Sequence, residues 1–370
     1  MNEWLMSFDG HDPTDEGRRE SLLTLGNGYF ATRGAAPECD ADDTHYPGTY
    51  VAGVYNRLGS EIAGRWVENE SLVNVPNWLV LKFRVEGGDW ISDRTAEVVA
   101  HRVDLDLRQG LSVRHTTFED ADGRRLQLTQ RRIVSMRDQH AAALQTTFVA
   151  ENFTGRLEVL SALDGTVRNR GVKRYRDLPD QHLRPLHQDV EGADVVCLHV
   201  ETTQSYIRVS QAARTRVTVG GGDGPGQREV VEHPGFVGQV LDLELSEGSP
   251  VVVEKVVSLF TSRDPAISEP GIEACDAVRE VLGDFDDLLE RHVVAWRHLW
   301  ERAHIVLGTD GDIARMVHLH KFHAMQTVSL HSVSLDAGVP ARGLHGEAYR
   351  GHIFWDELFI CPFFSVLFPE

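Results

Sequence analysis

What the chain has little of narrows its function before any motif is considered. Basic residues are in deficit: 37 Lys and Arg stand against 56 Asp and Glu, a formal charge of −19. Binding to nucleic-acid phosphates needs a surplus of Lys and Arg, so a sequence-independent nucleic-acid binder is excluded. An anionic membrane surface is equally unsuited as a partner. No apolar run reaches the ~18 residues needed to cross a bilayer. Residues 1–17 are acidic and lack the basic-then-apolar order of a secretory signal.

Cysteine is scarce as well. Cys39, Cys197, Cys275 and Cys361 are far apart and form no C-x-x-C pair. Neither a zinc-knuckle spacing nor a disulfide framework is legible, so four free thiols in a reducing compartment and a cytoplasmic location are expected. The N-x-[ST] matches at Asn69 and Asn152 matter only in a secreted chain. What is present, 41% apolar and 25% charged residues, is the composition of a folded protein. At roughly 100–200 residues per domain, the length suggests two domains with a piece of a third.

The chain changes character near residue 265. Before it, short alternating runs recur: Leu126–Val134, Ala143–Val149, Gly155–Leu160, Val195–Val200, Ser205–Ser210, Val237–Leu245 and Val251–Leu259. Period-2 runs of this kind, with no helix-period segment between them, predict antiparallel sheets assembled as a large β-sandwich over residues 1–265. The cluster Gly220–Gly226 lacks the G-K-[ST] ending of a phosphate loop and opens no helix, so it reads as a hairpin loop. After Pro270 the period switches. Phe285, Leu288, Leu289, His292, Val293, Trp296, Leu299 and Trp300 form one continuous helical stripe. A break at Gly308–Asp312 follows, then a second helix predicted from Ile313 to about Leu335. Residues 266–310 therefore read as a helical linker, and 311–370 as the opening of a helical domain.

The chemistry concentrates in Ala341–Phe359, where His345, Glu347, Tyr349, Arg350, His352, Trp355, Asp356 and Glu357 crowd between glycines. Glycines permit tight turns that present polar side chains. Two readings stand side by side. Asp356 and Glu357 suit a first helical turn through the helix macrodipole. Equally, an aromatic face with adjacent carboxylates and imidazoles suits a pyranose ring and its hydroxyls. Seven of 18 histidines fall within residues 304–352, and His320 and His323 are spaced as metal ligands on a helix. No H-E-x-x-H accompanies them, so packing histidines are expected and no metal is assigned.

The segment Gly343–Asp356, with Pro362-Phe-Phe364 behind it, resembles the entry to the catalytic domain of glycoside hydrolase family 65, which includes maltose, trehalose and kojibiose phosphorylases. The N-terminal half agrees: Glu20–Tyr29, Thr32–Gly34, Tyr46–Tyr55, Leu72–Trp78, Arg131–Met136 and Asn152 resemble that family's β-domain in order and spacing. The resemblance implies an N-terminal β-sandwich (a supersandwich), a helical linker and an (α/α)6 barrel. It further implies inverting cleavage of an α-linked glucose disaccharide. The co-substrate is inorganic phosphate, the product is β-glucose 1-phosphate, and no cofactor is needed. Phe354, Trp355 and Asp356 match the motif that grips glucose, and His345, Glu347 and Tyr349 belong to a loop bordering the same cleft. An inverting α-glucosidase of the same family, and a non-catalytic carbohydrate-binding or assembly fragment, are the alternatives; a homodimer is one assembly the resemblance allows.

The chain departs from that pattern in two places. Many phosphorylases carry Trp-Asp-Thr-Glu, whereas this chain has Trp355-Asp356-Glu357-Leu358, so no role is assigned to Glu357. A twelve-helix barrel takes on the order of 200 residues, and only 60 follow residue 310. The general acid is therefore expected beyond residue 370, no catalytic residue is assigned within the chain, and the chain alone is expected to be inactive.

Overall fold

The structure, a computed structural model, describes residues 2–224, 227–308 and 311–368. Three antiparallel sheets account for most of it. The largest runs β1 (Leu5–Asp9), β7 (Glu97–Asp106), β8 (Leu111–Glu119), β9 (Arg125–Val134), β10 (Ala141–Ala150), β18 (Val251–Thr261), β14 (Arg208–Val219), β13 (Val195–Thr202) and β12 (Leu183–Glu191). A short β15 (Gly222–Asp223) folds back on β14. The second sheet is β16 (Arg228–His233), β17 (Phe236–Leu245), β11 (Gly155–Asp164) and β6 (Leu81–Val85). The third is β2 (Leu25–Gly26), β3 (Phe30–Thr32), β4 (Thr49–Ile62) and β5 (Arg65–Val75).

The alternation in sequence becomes two-sided burial. Leu126 and Leu128 of β9, Phe148 of β10 and Val253 of β18 face one core, which they share with Leu157, Val159, Leu241 and Leu243 of the second sheet. That packing is consistent with a sandwich. The opposite face of the large sheet, through Ile133, Ala143, Cys197, Ala212 and Val256, carries the helices that follow. These are α2 (Pro270–Asp276), continued by a π-turn over Ala277–Val281, and α3 (Phe285–Ala303). Asp284 and Asp287 form a reciprocal capping box that starts α3. The buried side of α3 is Phe285, Leu288, His292, Trp296 and Trp300, the stripe expected from sequence. Trp296 then stacks at 4.6 Å on Phe322 of α4 (Gly311–Thr327).

Four details correct the sequence-based expectations. A helix, α1 (Glu16–Leu22), does interrupt the early strands; its short charged sequence shows no helical stripe. The run assigned to Ser205–Ser210 begins as a strand only at Arg208, because Thr202 to Tyr206 form a turn. The helix predicted to reach Leu335 stops at Thr327, where Ser329 caps a separate 3-10 turn over Leu330–Ser332. Four free thiols were expected, but Cys197 of β13 and Cys275 of α2 are joined in a disulfide, which leaves Cys39 and Cys361 as free thiols. Of the glycine cluster, Gly220 and Gly221 take positive φ in the β14–β15 turn; Pro225 and Gly226 lie outside the described residues, as do Thr309 and Asp310 of the predicted helix break. No helix among the described residues is long and apolar enough to cross a membrane.

Candidate functional site

After α4 the chain loops over the third sheet and ends in α5 (Glu357–Leu367). The loop bridges to itself, Pro340 pairing with Ile353. It is seated on the strands below by Gly351, which has φ +68 and lies where an added Cβ would sit 2.4 Å from Cβ of Leu72. The Tyr55 hydroxyl donates to the Gly351 carbonyl at 2.5 Å, and His352 Nε2 lies 2.9 Å from the Glu70 carbonyl. Between these anchors Tyr349 and Arg350 both take left-handed backbone conformations, φ +55 and +58. Such conformations cost non-glycine residues about 1–3 kcal/mol and persist only where the surroundings hold them.

That turn divides the six sequence-predicted site residues into two groups. His345 and Glu347 point inward. With Arg33, Tyr46, Tyr50, His323 and Arg342 they line a cavity of about 300 Å³ between the loop and the third sheet. Glu347 is 5% exposed. It accepts hydrogen bonds from the hydroxyls of Tyr46 and Tyr50 and from the Gly171 amide. Burial pushes its carboxyl up to about 7. The ring of His345 meets His323 edge-on at 4.4 Å, and its Nε2 is buried without a partner. Burial holds His345 well below the ordinary imidazole range and His323 down to about 4, so both rings are neutral near pH 7. Arg33 links the parts, donating to the carbonyls of Tyr46 and His345.

Tyr349, Phe354, Trp355 and Asp356 form the second group on the outer side. Tyr349 is 51% exposed, Phe354 45% and Trp355 67%. Phe354 meets Tyr349 edge-on at 5.9 Å, and Trp355 meets Phe359 of α5 at 5.6 Å. Asp356 occupies the residue before α5. Glu357, left without a role by the sequence, has a structural one: its Oε1 accepts the Val339 amide at 2.6 Å and ties the start of α5 to the loop. Beside this outer group, Leu358, Phe359 and Val366 of α5 are largely exposed. A groove of about 930 Å³, lined among others by Leu299 of α3, Met325 of α4 and Phe364 of α5, runs along the helices.

Sequence reasoning missed Tyr46, Tyr50, Arg33 and His323 as part of the inner group. Tyr46 and Tyr50 lay inside a segment matched to the β-domain, and no local pattern joins them to residue 347.

Two family descriptions match the chain. The family description "Glycosyl hydrolase family 65, N-terminal domain" matches residues 6–299. The description "Glycosyl hydrolase family 65 central catalytic domain" matches residues 318–370. An uncharacterized glycosyl hydrolase of Mycobacterium tuberculosis is 45% identical over 367 residues, covering 99% of this chain and 28% of that protein. The trehalose 6-phosphate phosphorylase of Lactococcus lactis is 30% identical over 381 residues, 100% of this chain and 46% of the relative. The kojibiose phosphorylase of Caldanaerobacter subterraneus is 29% identical over 378 residues, 100% and 47%. Among solved structures, "Putative kojibiose phosphorylase from human microbiome" superposes with a TM-score of 0.84 at 20% identity, over 98% of this chain and 46% of that one. The chain thus spans less than half the length of these relatives. With its N-terminal match covering most of its residues, the chain belongs to glycosyl hydrolase family 65.

Proposed function

We propose that the chain supplies the β-domain, the helical connection and one wall of the sugar site of an α-glucoside phosphorylase. The division at residues 265 and 310 is part of that proposal. The observation that carries it is the outer group. Phe354 and Trp355 stand exposed, with the half-buried Asp356 next to them, beside the apolar surface of α5, as a stacking face and a hydroxyl-binding carboxylate would if the site were closed over them. An exposed apolar face of this size calls for a covering partner. The names of the kojibiose and trehalose 6-phosphate phosphorylases favour an α-linked glucose disaccharide and inorganic phosphate as the substrates of the complete site.

In an inverting phosphorolysis a carboxylic acid protonates the leaving oxygen while phosphate attacks from the opposite face. None of the carboxylates described above is placed for that proton transfer. Glu347 is enclosed by its three donors, and Glu357 is committed to the Val339 amide. Asp356 is proposed to bind sugar hydroxyls, and His345 and Glu347 to hold the loop that presents it. None of Glu347, Glu357 and Asp356 is therefore proposed as the general acid.

Two measurements on the purified chain test this. With kojibiose, trehalose or maltose and phosphate, no glucose 1-phosphate is expected; turnover would overturn the exclusion of these three carboxylates. Calorimetric titration with glucose is expected to show weak binding that Trp355→Ala removes, and absence of binding in the parent chain would overturn the sugar-wall assignment.

A further inference from the structure

A second cluster of reactive side chains lies in the β-domain, where three loops meet. His11 follows β1, Cys39 and His45 lie between β3 and β4, and Asp93 lies between β6 and β7. Cys39, His45 and Asp93 each offer one ligand atom, all within 4.8 Å of one another. His45 Nε2 is 3.1 Å from Asp93 Oδ2, and Cys39 Sγ is 3.8 Å from Asp93 Oδ1. His11 Nε2 approaches the same Oδ2 at 3.3 Å. Cys39 and His45 are buried, and the side chains of Asp93 and His11 are mostly covered.

We propose that this cluster is a binding site for a divalent transition cation of the zinc class, held by Cys39 Sγ, His45 Nε2 and an Asp93 oxygen, with His11 completing the set. Three features of the cluster support it. The first is donor chemistry: one thiol, two imidazoles and one carboxylate select zinc-like ions over calcium or magnesium, which take oxygen ligands.

The second is the shell behind the ligands. His45 Nδ1 lies 3.1 Å from Oε1 of the fully buried Glu20. A ligating histidine is oriented in this way, its second ring nitrogen donating to a carboxylate so that the other lone pair faces the metal. With Nδ1 facing Glu20, His45 Nε2 faces the Asp93 carboxylate at 3.1 Å, a contact that either a proton on Nε2 or a cation between the two satisfies. Glu20 is itself fixed by the Tyr46 amide and the Arg33 guanidinium.

The third is charge. Glu16, Glu20 and Asp93 bring three carboxylates together, and Glu16 Oε2 is buried without a partner. Arg33 and His45 reach Glu20, and His45 and His11 reach Asp93; a divalent cation held there would add to the positive charge facing these carboxylates. Bound there, the ion would staple three loops that have little secondary structure of their own. It would also fix Tyr46, the residue after His45, against Glu347 of the loop that carries the outer group.

The test uses the purified chain with zinc alone and with cobalt alone as probes. About one equivalent of zinc is expected after dialysis, with a thiolate-to-cobalt charge-transfer band on cobalt loading. Cys39→Ser should lower zinc affinity at least tenfold and remove the band while far-ultraviolet circular dichroism is unchanged. Cys361→Ser, which alters the exposed thiol, should leave both readouts intact. Cys197 and Cys275 are spent in their disulfide, so a band that survives Cys361→Ser belongs to Cys39 even if Cys39→Ser fails to fold. A folded parent chain that retains no stoichiometric zinc and shows no thiolate band overturns the proposal, and His45 is then a protonated bridge between Glu20 and Asp93. Loss of the band in Cys361→Ser overturns it as well.

Discussion

Tyr50 and Glu347 lie 297 residues apart in sequence, and the Tyr50 hydroxyl donates to Glu347 Oε1 at 3.0 Å in a buried contact. With the Tyr46 hydroxyl and the Gly171 amide, this seats the loop before α5 on the β-domain. The pocket keeps the Glu347 proton to about pH 7, whereas the ordinary carboxyl releases it near 4.5. The folded state therefore binds more protons than the unfolded one between those values, and stability must fall as pH rises through that window and level off above it. The full drop is on the order of 3 kcal/mol. Glu347→Gln should abolish this fall, so that thermal unfolding followed from pH 5 to 8 loses the corresponding slope. Because one amide oxygen cannot accept all three donors, the variant should also be less stable at pH 5 by about 1–3 kcal/mol.

Gly351 offers a test of the same contact that involves no charge. At φ +68, with Leu72 2.4 Å from an added Cβ, any side chain must displace the loop from β5. Gly351→Ala should therefore cost more than about 1 kcal/mol, since both the strained conformation and the clash act in the folded state. Limited proteolysis should show residues 340–368 cut earlier than in the parent, while the strands remain protected. Equal cleavage rates would show that the loop does not depend on this seat.

Lys255 of β18 is fully buried and points its Nζ at two carbonyls, those of Val80 and Ala162. Burial lowers its amine from 10.5 to about 7. Here the folded state binds fewer protons than the unfolded one between pH 7 and 10.5, so stability should rise with pH across that range. Lys255→Met should flatten this alkaline rise and stabilise the chain relative to the parent below pH 7. Urea unfolding at pH 6 and pH 9 distinguishes the two cases.

How much of this could be read beforehand depends on the range of the interaction. Strands such as Arg125–Val134 and Val237–Leu245 were legible because period-2 burial is written locally. Helix α3 was legible for the same reason at helical period. Helix α1 was not, because its buried residues are Glu16 and Glu20, whose burial is set by partners in distant loops. The Cys197–Cys275 pair escaped notice since only the sheet topology brings β13 under α2. The candidate site was read as one cluster because its residues are consecutive. The left-handed turn at Tyr349 and Arg350, which no composition announces at non-glycine positions, sends them to opposite sides of the loop.

That separation yields a last prediction. Trp355 is 67% exposed and meets Phe359 edge-on. Trp355→Ala should leave stability within about 0.5 kcal/mol of the parent, as surface substitutions do. If the outer group is the sugar wall, the same change should remove measurable glucose binding in calorimetry, where the parent is expected to bind at about the millimolar level. Glu347→Gln should reverse the pattern, losing stability but keeping glucose affinity, because the inner cavity and the outer face are divided by the 349–350 turn. Should both variants lose glucose binding to the same degree while still folded, the two groups form one site rather than two.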